Sequence, residues 1–424
     1  MEKEQTDMKR NNDKTKSRVM AGIYSWLLMG LIAFMGSTAW GQSDTVKRSN
    51  RKDPWAFKEI KTIPPVAPLT GGLWLKGDLH LHSRHSKESS NNPVAKILAF
   101  SRSVGVDYVC ITDHDNHVDG DVANHTWADP EFRSADVLLL YGAEWTTTRG
   151  HGNVFSAKPY DHQRLYFVRD QRDHVIQSVV KELGIHLSAN HPMGPKDHFG
   201  FSYDMIKSME VWNSCVWSKN VNALLIWDDM LSSGRKITGR GGSDAHHGTP
   251  ESPDKATPNS KQAAANYVGT PTTWVYATAR TSQAVVDALT NGRVSVSANP
   301  YAPRVEFYAD LDQDGKMDMM MGDNAKPGGK PVTFRVQLTG KTATDSSYTI
   351  NVVKNGNAFG TYKTTGKEAV IEFTDTPTTA GRTYYRVTVE GPVTPYPEVP
   401  ASMALSGNMV ALSNPICFNF DPRF

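Results

Sequence analysis

Between Leu73 and Ser297, short apolar runs alternate with longer stretches whose apolar residues fall three and four positions apart. The runs predict strands at Trp74 to Leu81, Val106 to Thr112, Val137 to Gly142, Ile185 to Ala189, Met209 to Trp212, Ile237 to Gly241 and Val268 to Ala277. The three-and-four spacing predicts helices at Pro93 to Val104, His174 to Leu183, Ala223 to Leu231 and Ser282 to Leu289. In the first of these, Val94, Ile97, Leu98 and Val104 fall near one face. Repeated βα units predict an α/β fold with a parallel sheet or barrel over residues 72–300. Residues 248–262 are polar and proline-containing, which predicts a surface insertion. Past residue 300 the pattern changes. Val332 to Leu338, Thr349 to Val353, Ala369 to Phe373 and Thr383 to Val389 are alternating runs separated by Gly, Asn, Thr and Pro. They predict a small all-β, immunoglobulin-like sandwich over residues 301–424. No repeat at a solenoid period is present.

The N-terminal segment follows different rules. Met1 to Arg18 is polar and carries Lys9, Arg10, Lys14, Lys16 and Arg18, and an apolar run from Val19 to Gly36 follows it. Ala39-Trp40-Gly41 then satisfies the small-x-small pattern, so residues 1–41 read as a signal peptide cleaved before Gln42. The run is also long enough to serve as an uncleaved membrane anchor. Either reading places the rest of the chain outside the cytoplasm, periplasmic or extracellular, with membrane contact only through an uncleaved segment. Residues 42–71, with Pro64, Pro65 and Pro68, read as a linker. The formal net charge of +2 leaves no nucleic-acid footprint. The three cysteines, Cys110, Cys215 and Cys417, lack C-x-x-C spacing and read as small buried hydrophobes.

The chemistry sits at the strand ends. The first strand finishes Gly77-Asp78-Leu79-His80-Leu81-His82, and residues two apart on a strand point the same way, so both imidazoles can grip one ion. The second finishes Ile111-Thr112-Asp113-His114-Asp115. The third finishes Gly142-Ala143-Glu144, with His151 seven residues on. Later ends read Asn190-His191-Pro192 and Gly241-Gly242-Ser243-Asp244-Ala245-His246. One such histidine alone is more often a satisfied polar residue. Five such ends in chain order would be costly to bury unless something paired them. Imidazole with carboxylate, and no thiolate, suits zinc, manganese or iron.

Taken in order, these five motifs resemble the metal motifs of the PHP (polymerase and histidinol phosphatase) superfamily, over about residues 72–300. The export signal, Glu210-Val211-Trp212-Asn213 and Leu412-Ser413-Asn414-Pro415-Ile416 resemble its carbaryl-hydrolase branch. The resemblance implies a distorted seven-stranded (β/α) barrel holding two or three divalent ions. Carried over by position, His80, His82, Glu144 and Asp244 would hold one ion. Glu144 would bridge to a second with His151 and His191, and His114 and His246 would hold a third. Many members carry Ser-Asp-Gly shortly after the paired histidines, where this chain has Ser86-Lys87-Glu88. Glu88 or His85 would then stand in as ligand, and Lys87 would offer positive charge to an anionic substrate.

Two ions sharing a water lower its pKa toward neutrality. The expected activity is hydrolysis of a small-molecule ester, with phosphate mono- and diesters first. Carboxylic or carbamate esters are the alternative, and a non-catalytic surface-binding protein with a relic site is a further one. Asp244 would orient or deprotonate the water, and His246 or His114, if freed by an empty third site, would protonate the leaving oxygen. Arg149 and Lys196 are candidate substrate contacts, or simply solvated cations. Asp310, Asp312, Asp314, Gly315 and Asp318 open like a calcium loop, but Met321 stands where its last acidic ligand belongs. The segment is therefore a calcium site or an Asp/Gly hairpin turn.

Overall fold

The computed structural model describes residues 67–194, 197–246, 267–340, 345–367, 369–396 and 408–421. All lie in one compact unit, Ile60–Phe424. The targeting segment, nearly all of the linker and the 248–262 insertion lie outside the described residues. Among the described residues no helix is long and apolar enough to cross a membrane.

Nine strands precede residue 300: β1 (Leu73–Leu81), β2 (Tyr108–Ile111), β3 (Leu138–Thr147), β4 (Gly150–Ser156), β5 (His186–Ala189), β6 (Ser208–Asn213), β7 (Thr238–Gly242), β8 (Thr272–Ala277) and β9 (Val294–Ser297). The longer helices are α1 (Val94–Ser103), α2 (His162–Phe167), α3 (Asp173–Leu183), α4 (Val221–Ser232) and α5 (Ser282–Asn291). Local chemistry sets their ends. In α3, Ile176, Val179 and Val180 are buried at three-and-four spacing, and Gly184 terminates the helix at φ +64°. The Thr281 side chain accepts from the Ala284 N–H at the start of α5.

The expected distorted seven-stranded (β/α) barrel followed by a small immunoglobulin-like sandwich is not what the chain forms. The architecture is mostly β, with large mixed sheets. The barrel would need parallel strands joined by helices. Instead β3–β4 and β4–β5 pair antiparallel, and so do β1–β8 and β8–β9. Among these nine strands, parallel ladders join only β1–β2–β3 and β5–β6–β7. Between β2 and β3 the elements include only a 3-10 turn, Asp115–His117, and no α-helix. A parallel crossover normally places a helix there.

The later strands are β10 (Arg304–Asp310), β11 (Met319–Met320), β12 (Asn324–Ala325), β13 (Val332–Thr339), β14 (Ser347–Lys354), β15 (Asn357–Thr365), β16 (Val370–Asp375), β17 (Thr383–Glu390), β18 (Met409–Ser413) and β19 (Ile416–Phe418). β10, β11, β13 and β16 make a four-stranded sheet. The others join the large sheet, because β9 pairs antiparallel with β18 and β18 with β17. One apolar cluster accordingly runs from Leu79 and Trp145 through Trp212 and Trp227 to Phe334 and Phe418. A second packs α1, through Val94, Ile97 and Leu98, against Val109 and Ile111 of β2.

Two contacts place the site. Just past β7, the Asp244 N–H donates to the His80 carbonyl (2.7 Å), and the His82 N–H donates to the Ala245 carbonyl (2.9 Å). The sheet therefore curls until the exit of β7 lies against the exit of β1. From the C-terminal strands, Asn414 accepts from the Gly239 N–H (2.8 Å) and donates to the Gly239 and Val294 carbonyls (2.7 and 2.9 Å). That side chain clamps β7 to β9.

Candidate metal centre

The ends of β1, β3, β5 and β7, with the loops that follow them, meet in one cluster. His80 and His82 leave β1 on the same face, both fully buried. Each has Nδ1 committed to an acceptor. His80 Nδ1 lies 3.0 Å from Glu210 Oε1. His82 Nδ1 lies 3.3 Å from Ser86 Oγ, whose own hydroxyl donates to Asp113 Oδ1 (2.8 Å). With the proton on Nδ1 in both rings, both Nε2 atoms turn toward the same space. There His80 Nε2 meets Glu144 Oε2 at 3.4 Å and Asp244 Oδ1 at 3.3 Å. His82 Nε2 meets Asp244 Oδ1 at 3.1 Å and Glu144 Oε2 at 3.5 Å.

Glu144 is buried at the middle, and its two oxygens face different partners. Oε2 faces His80, His82 and His114 Nδ1 (2.9 Å). Oε1 faces His151 Nδ1 (3.1 Å), His191 Nε2 (3.3 Å) and the Asn190 amide (2.9 Å). Four groups of donor atoms lie within 4.8 Å of one another: His80, His82 and Glu144; His80, His191 and Asp244; His114, Glu144 and His151; and His82, His114 and His246. Every expected ligand except Glu88 is in one of them. The grouping differs in detail from the family pattern, since His151 gathers with His114, and His191 with His80.

Glu88 completes the outer side. Its Oε1 lies 2.8 Å from His114 Nε2 and 3.5 Å from His246 Nε2. His85 is turned elsewhere, with Nε2 2.7 Å from Asp129 Oδ2, where Arg84 is bidentate. Glu88 rather than His85 therefore stands beside His114.

The electrostatics follow from burial against pairing. Burial opposes a charge on His80, but Glu210, Asp244 and Glu144 outweigh it and hold the imidazole well above its ordinary value. Burial likewise opposes charge on His114, yet Glu144 and Glu88 raise it to about 10. His82 goes the other way: burial, with His246 and His114 stacked beside it, lowers it to about 4. The hydrogen bond from His114 holds Glu88 down to about 2. Burial works against ionised Glu144 and Asp244, and the surrounding imidazoles overcome it, keeping both carboxyls well below their usual range.

These residues fit a metal ion. His80 Nε2 is buried, has no hydrogen-bond partner and faces Glu144 Oε2 and Asp244 Oδ1 at 3.4 and 3.3 Å. A buried polar atom of this kind is costly to leave unmatched. The set is all nitrogen and oxygen, suited to zinc, manganese or iron. Two of its members are held in left-handed backbone, His191 at φ +25° and Asp244 at φ +54°. Non-glycine residues adopt that region at a cost, and they concentrate at functional sites.

No protein-family model matches the chain. No curated protein matches it either. Among solved structures it is similar to the CARDB domain of the PF1109 protein from Pyrococcus furiosus, crystallised in complex with di-metal ions. That likeness has 16% identity and a TM-score of 0.17, over 28% of this chain and 89% of the other. At that TM-score neither fold nor ligand carries over.

Other expected residues fall outside the cluster. Arg149 is spent on structure: it pairs with Asp173 (2.6 Å), donates to the Gly200 and Gln171 carbonyls and stacks on Phe201. Lys87 is exposed on a 3-10 turn beside Glu88, its N–H donating to His117 Nδ1 (3.3 Å). Lys196 lies outside the described residues. Asp310, Asp312 and Asp318 bring carboxylate oxygens together, while Asp314 pairs with Lys316 at 3.3 Å. Asp310 and Asp318 also accept the Gln313, Gly315 and Leu311 N–H groups, which fix the turn on which these carboxylates sit. The three cysteines are buried and form no disulfide.

Sequence reasoning missed Glu210 and Arg240 as site residues. Both are fully buried, and Arg240 Nη1 lies 2.9 Å from Glu210 Oε1. The signal available was a charge inside an otherwise apolar strand, Met209-Glu210-Val211-Trp212.

Proposed function

We propose that the chain is a metal-dependent hydrolase of small-molecule esters, acting outside the cytoplasm, with phosphate mono- and diesters as the first substrate class. The observation that carries the reading is the divided carboxylate of Glu144. One oxygen faces His80, His82 and His114, the other His151 and His191, which is the arrangement a carboxylate shared between two ions requires. The order of the five motifs, resembling the PHP superfamily, supports phosphate esters.

Divalent ions held here would supply Lewis acidity to a water and to an ester oxygen. His80, His82, Glu144, His151, His191 and Asp244 would hold two of them, and Glu88, His114 and His246 a third. The protein groups do the rest. Asp244 Oδ1 sits between the two β1 imidazoles, and Asn213 donates to its other oxygen (3.3 Å), so the carboxylate is fixed to accept a proton from water. His246 is partly exposed, and its Nδ1 donates to the Asp244 carbonyl (2.9 Å); with the third position empty, its Nε2 would be free of metal and, once protonated, would pass that proton to the leaving oxygen.

The test uses the full chain stripped of metal and reloaded with zinc, manganese or iron. Chromogenic phosphate monoester, phosphodiester, carboxylic ester and carbamate substrates separate the classes. Hydrolysis of a phosphate ester that chelation abolishes and metal restores is the expected result. Turnover confined to carboxylic or carbamate esters would replace the substrate class. A metal-free protein of undiminished activity, or a metal-loaded one that hydrolyses nothing, would overturn the proposal.

A further inference from the structure

We propose that Glu210 and Arg240 are positioning residues of this centre, holding His80, Glu144, His191 and Asp244 in ligand geometry through one buried hydrogen-bond ring. The inference rests on the metal-dependent reading above.

The Glu210 carboxylate has four partners. Oε1 takes His80 Nδ1 (3.0 Å) and Arg240 Nη1 (2.9 Å). Oε2 takes the backbone N–H of His191 (3.0 Å) and Asn213 Nδ2 (3.1 Å). An ionised carboxylate only accepts, so His80 must carry its proton on Nδ1, which leaves Nε2 free toward Glu144 and Asp244. The His191 N–H is held in the one stretch where that residue's backbone is left-handed. Asn213 Nδ2 also reaches Asp244 Oδ2 at 3.3 Å.

Arg240 extends the control to Glu144. Its Nη2 donates to Asn190 Oδ1 (2.6 Å) and its Nε to Ser188 Oγ (2.7 Å). With its oxygen so engaged, the Asn190 amide must present Nδ2 to Glu144 Oε1 (2.9 Å) and to Asn153 Oδ1 (2.8 Å). The ring closes where Glu144 Oε2 meets His80 Nε2. Gly242 is part of this packing: a Cβ there would lie 2.4 Å from both Glu210 Oε1 and His80 Cβ.

Stability alone does not call for such a pair. Apolar side chains of equal volume often replace a buried ion pair without loss. They cannot set the tautomer of His80 or the orientation of Asn190, and partners of ligand residues do that elsewhere. In Glu210→Gln one edge of the side chain becomes a donor. It must face either His80 and Arg240 or the His191 and Asn213 donors, so one set loses its acceptor.

Cobalt(II) binding to the full chain is the test, read by equilibrium dialysis and by the visible d–d spectrum, with circular dichroism confirming the fold. Glu210→Gln is expected to weaken cobalt affinity by about 10–100-fold and to alter the spectrum. Asn190→Ser, which cuts only the link from Arg240 to Glu144, is expected to weaken it less. Asp228→Asn breaks the buried pair with Arg386 (Oδ2 to Nη2) far along the chain. It is expected to lower thermal stability while leaving cobalt affinity unchanged. Folded Glu210→Gln with wild-type affinity and spectrum would overturn the inference alone. Should that variant not fold, Asn190→Ser with wild-type affinity would overturn it equally. A wild-type chain that takes up no cobalt would overturn the metal centre itself.

Discussion

A metal ion held by this cluster would have to displace protons. In the metal-free chain His114 titrates at about 10 and His80 well above its ordinary value, because burial, which opposes their charge, is outweighed by Glu144, Glu210, Asp244 and Glu88. Near pH 7.5 the His114 ring is therefore protonated almost completely, and an ion needs its lone pair. Loading is expected to release at least that proton, so apparent affinity should rise by about one decade or more per pH unit over the neutral range. For His114 alone, removing the proton at pH 7.5 costs about 3 kcal/mol, at 1.36 kcal/mol per unit below its pKa. That cost vanishes as the pH approaches 10. Titration calorimetry with zinc or manganese, in buffers of differing ionisation enthalpy, counts the protons directly. Fewer than one proton released between pH 7 and 8, or an affinity flat from pH 6.5 to 8.5, would refute the charge assignment.

Further outcomes follow from the same geometry. The double variant His80→Ala/His82→Ala should lose metal-dependent turnover and lower the metal content per chain by elemental analysis. Unchanged activity with unchanged metal content would discard the centre. Stability of the metal-free chain should fall on the alkaline side, since raised His80 and His114 contribute fully below the ordinary imidazole value and lose that contribution as pH rises toward 10. On the acid side, the depressed Glu88, Glu144 and Asp244 contribute above the ordinary carboxylate range and lose that contribution as pH falls through their lowered values. Thermal unfolding from pH 3 to 10, with and without metal, checks both arms, and the loaded protein should lose the alkaline one. Arg149→Met should change stability by about 1 kcal/mol and leave KM alone, because the guanidinium is already committed to Asp173 and two carbonyls. A tenfold rise in KM at unchanged stability would return Arg149 to the substrate.

The residues that gather in this cluster were legible in the sequence because their chemistry leaves a local mark. His80-Leu81-His82 and Asp244-Ala245-His246 are spaced by two at strand exits, and Glu144, His114 and His191 each end an apolar run. The supporting residues leave no such mark: Glu210 and Arg240 sit thirty positions apart, and only folding makes them a pair. The barrel expectation failed for a related reason. Thr148-Arg149 turns β3 directly into β4, with neither Asn-Gly nor Asp-Gly to announce a hairpin. The constraint falls instead on Gly150, at φ +121°, where a Cβ would meet the His198 carbonyl. The alternation of β14 told which of its residues face a core, whereas β17 is buried on both faces. Alternation could not tell that β18 would carry those strands onto β9. Periodicity specifies a face, whereas partner choice is a tertiary property.

Protons and a metal ion would compete at this centre, and the fold keeps its supports out of that competition. The acceptors that orient the β1 histidines, Glu210 and the Ser86–Asp113 relay, engage Nδ1, while the contested lone pairs are on Nε2. Asp113 is itself saturated by the Ser83 N–H, Ser83 Oγ, Ser86 Oγ and Thr126 Oγ1, so it holds position whatever occupies the site. Rings stacked at 4.1 and 4.5 Å, His82 on His246 and on His114, cannot all be charged, and burial forces His82 to stay neutral. A cluster built for protons alone would have no use for a neutral imidazole pressed between two others. One built for an ion requires neutral imidazoles, already aimed, whose remaining protons leave when the ion arrives.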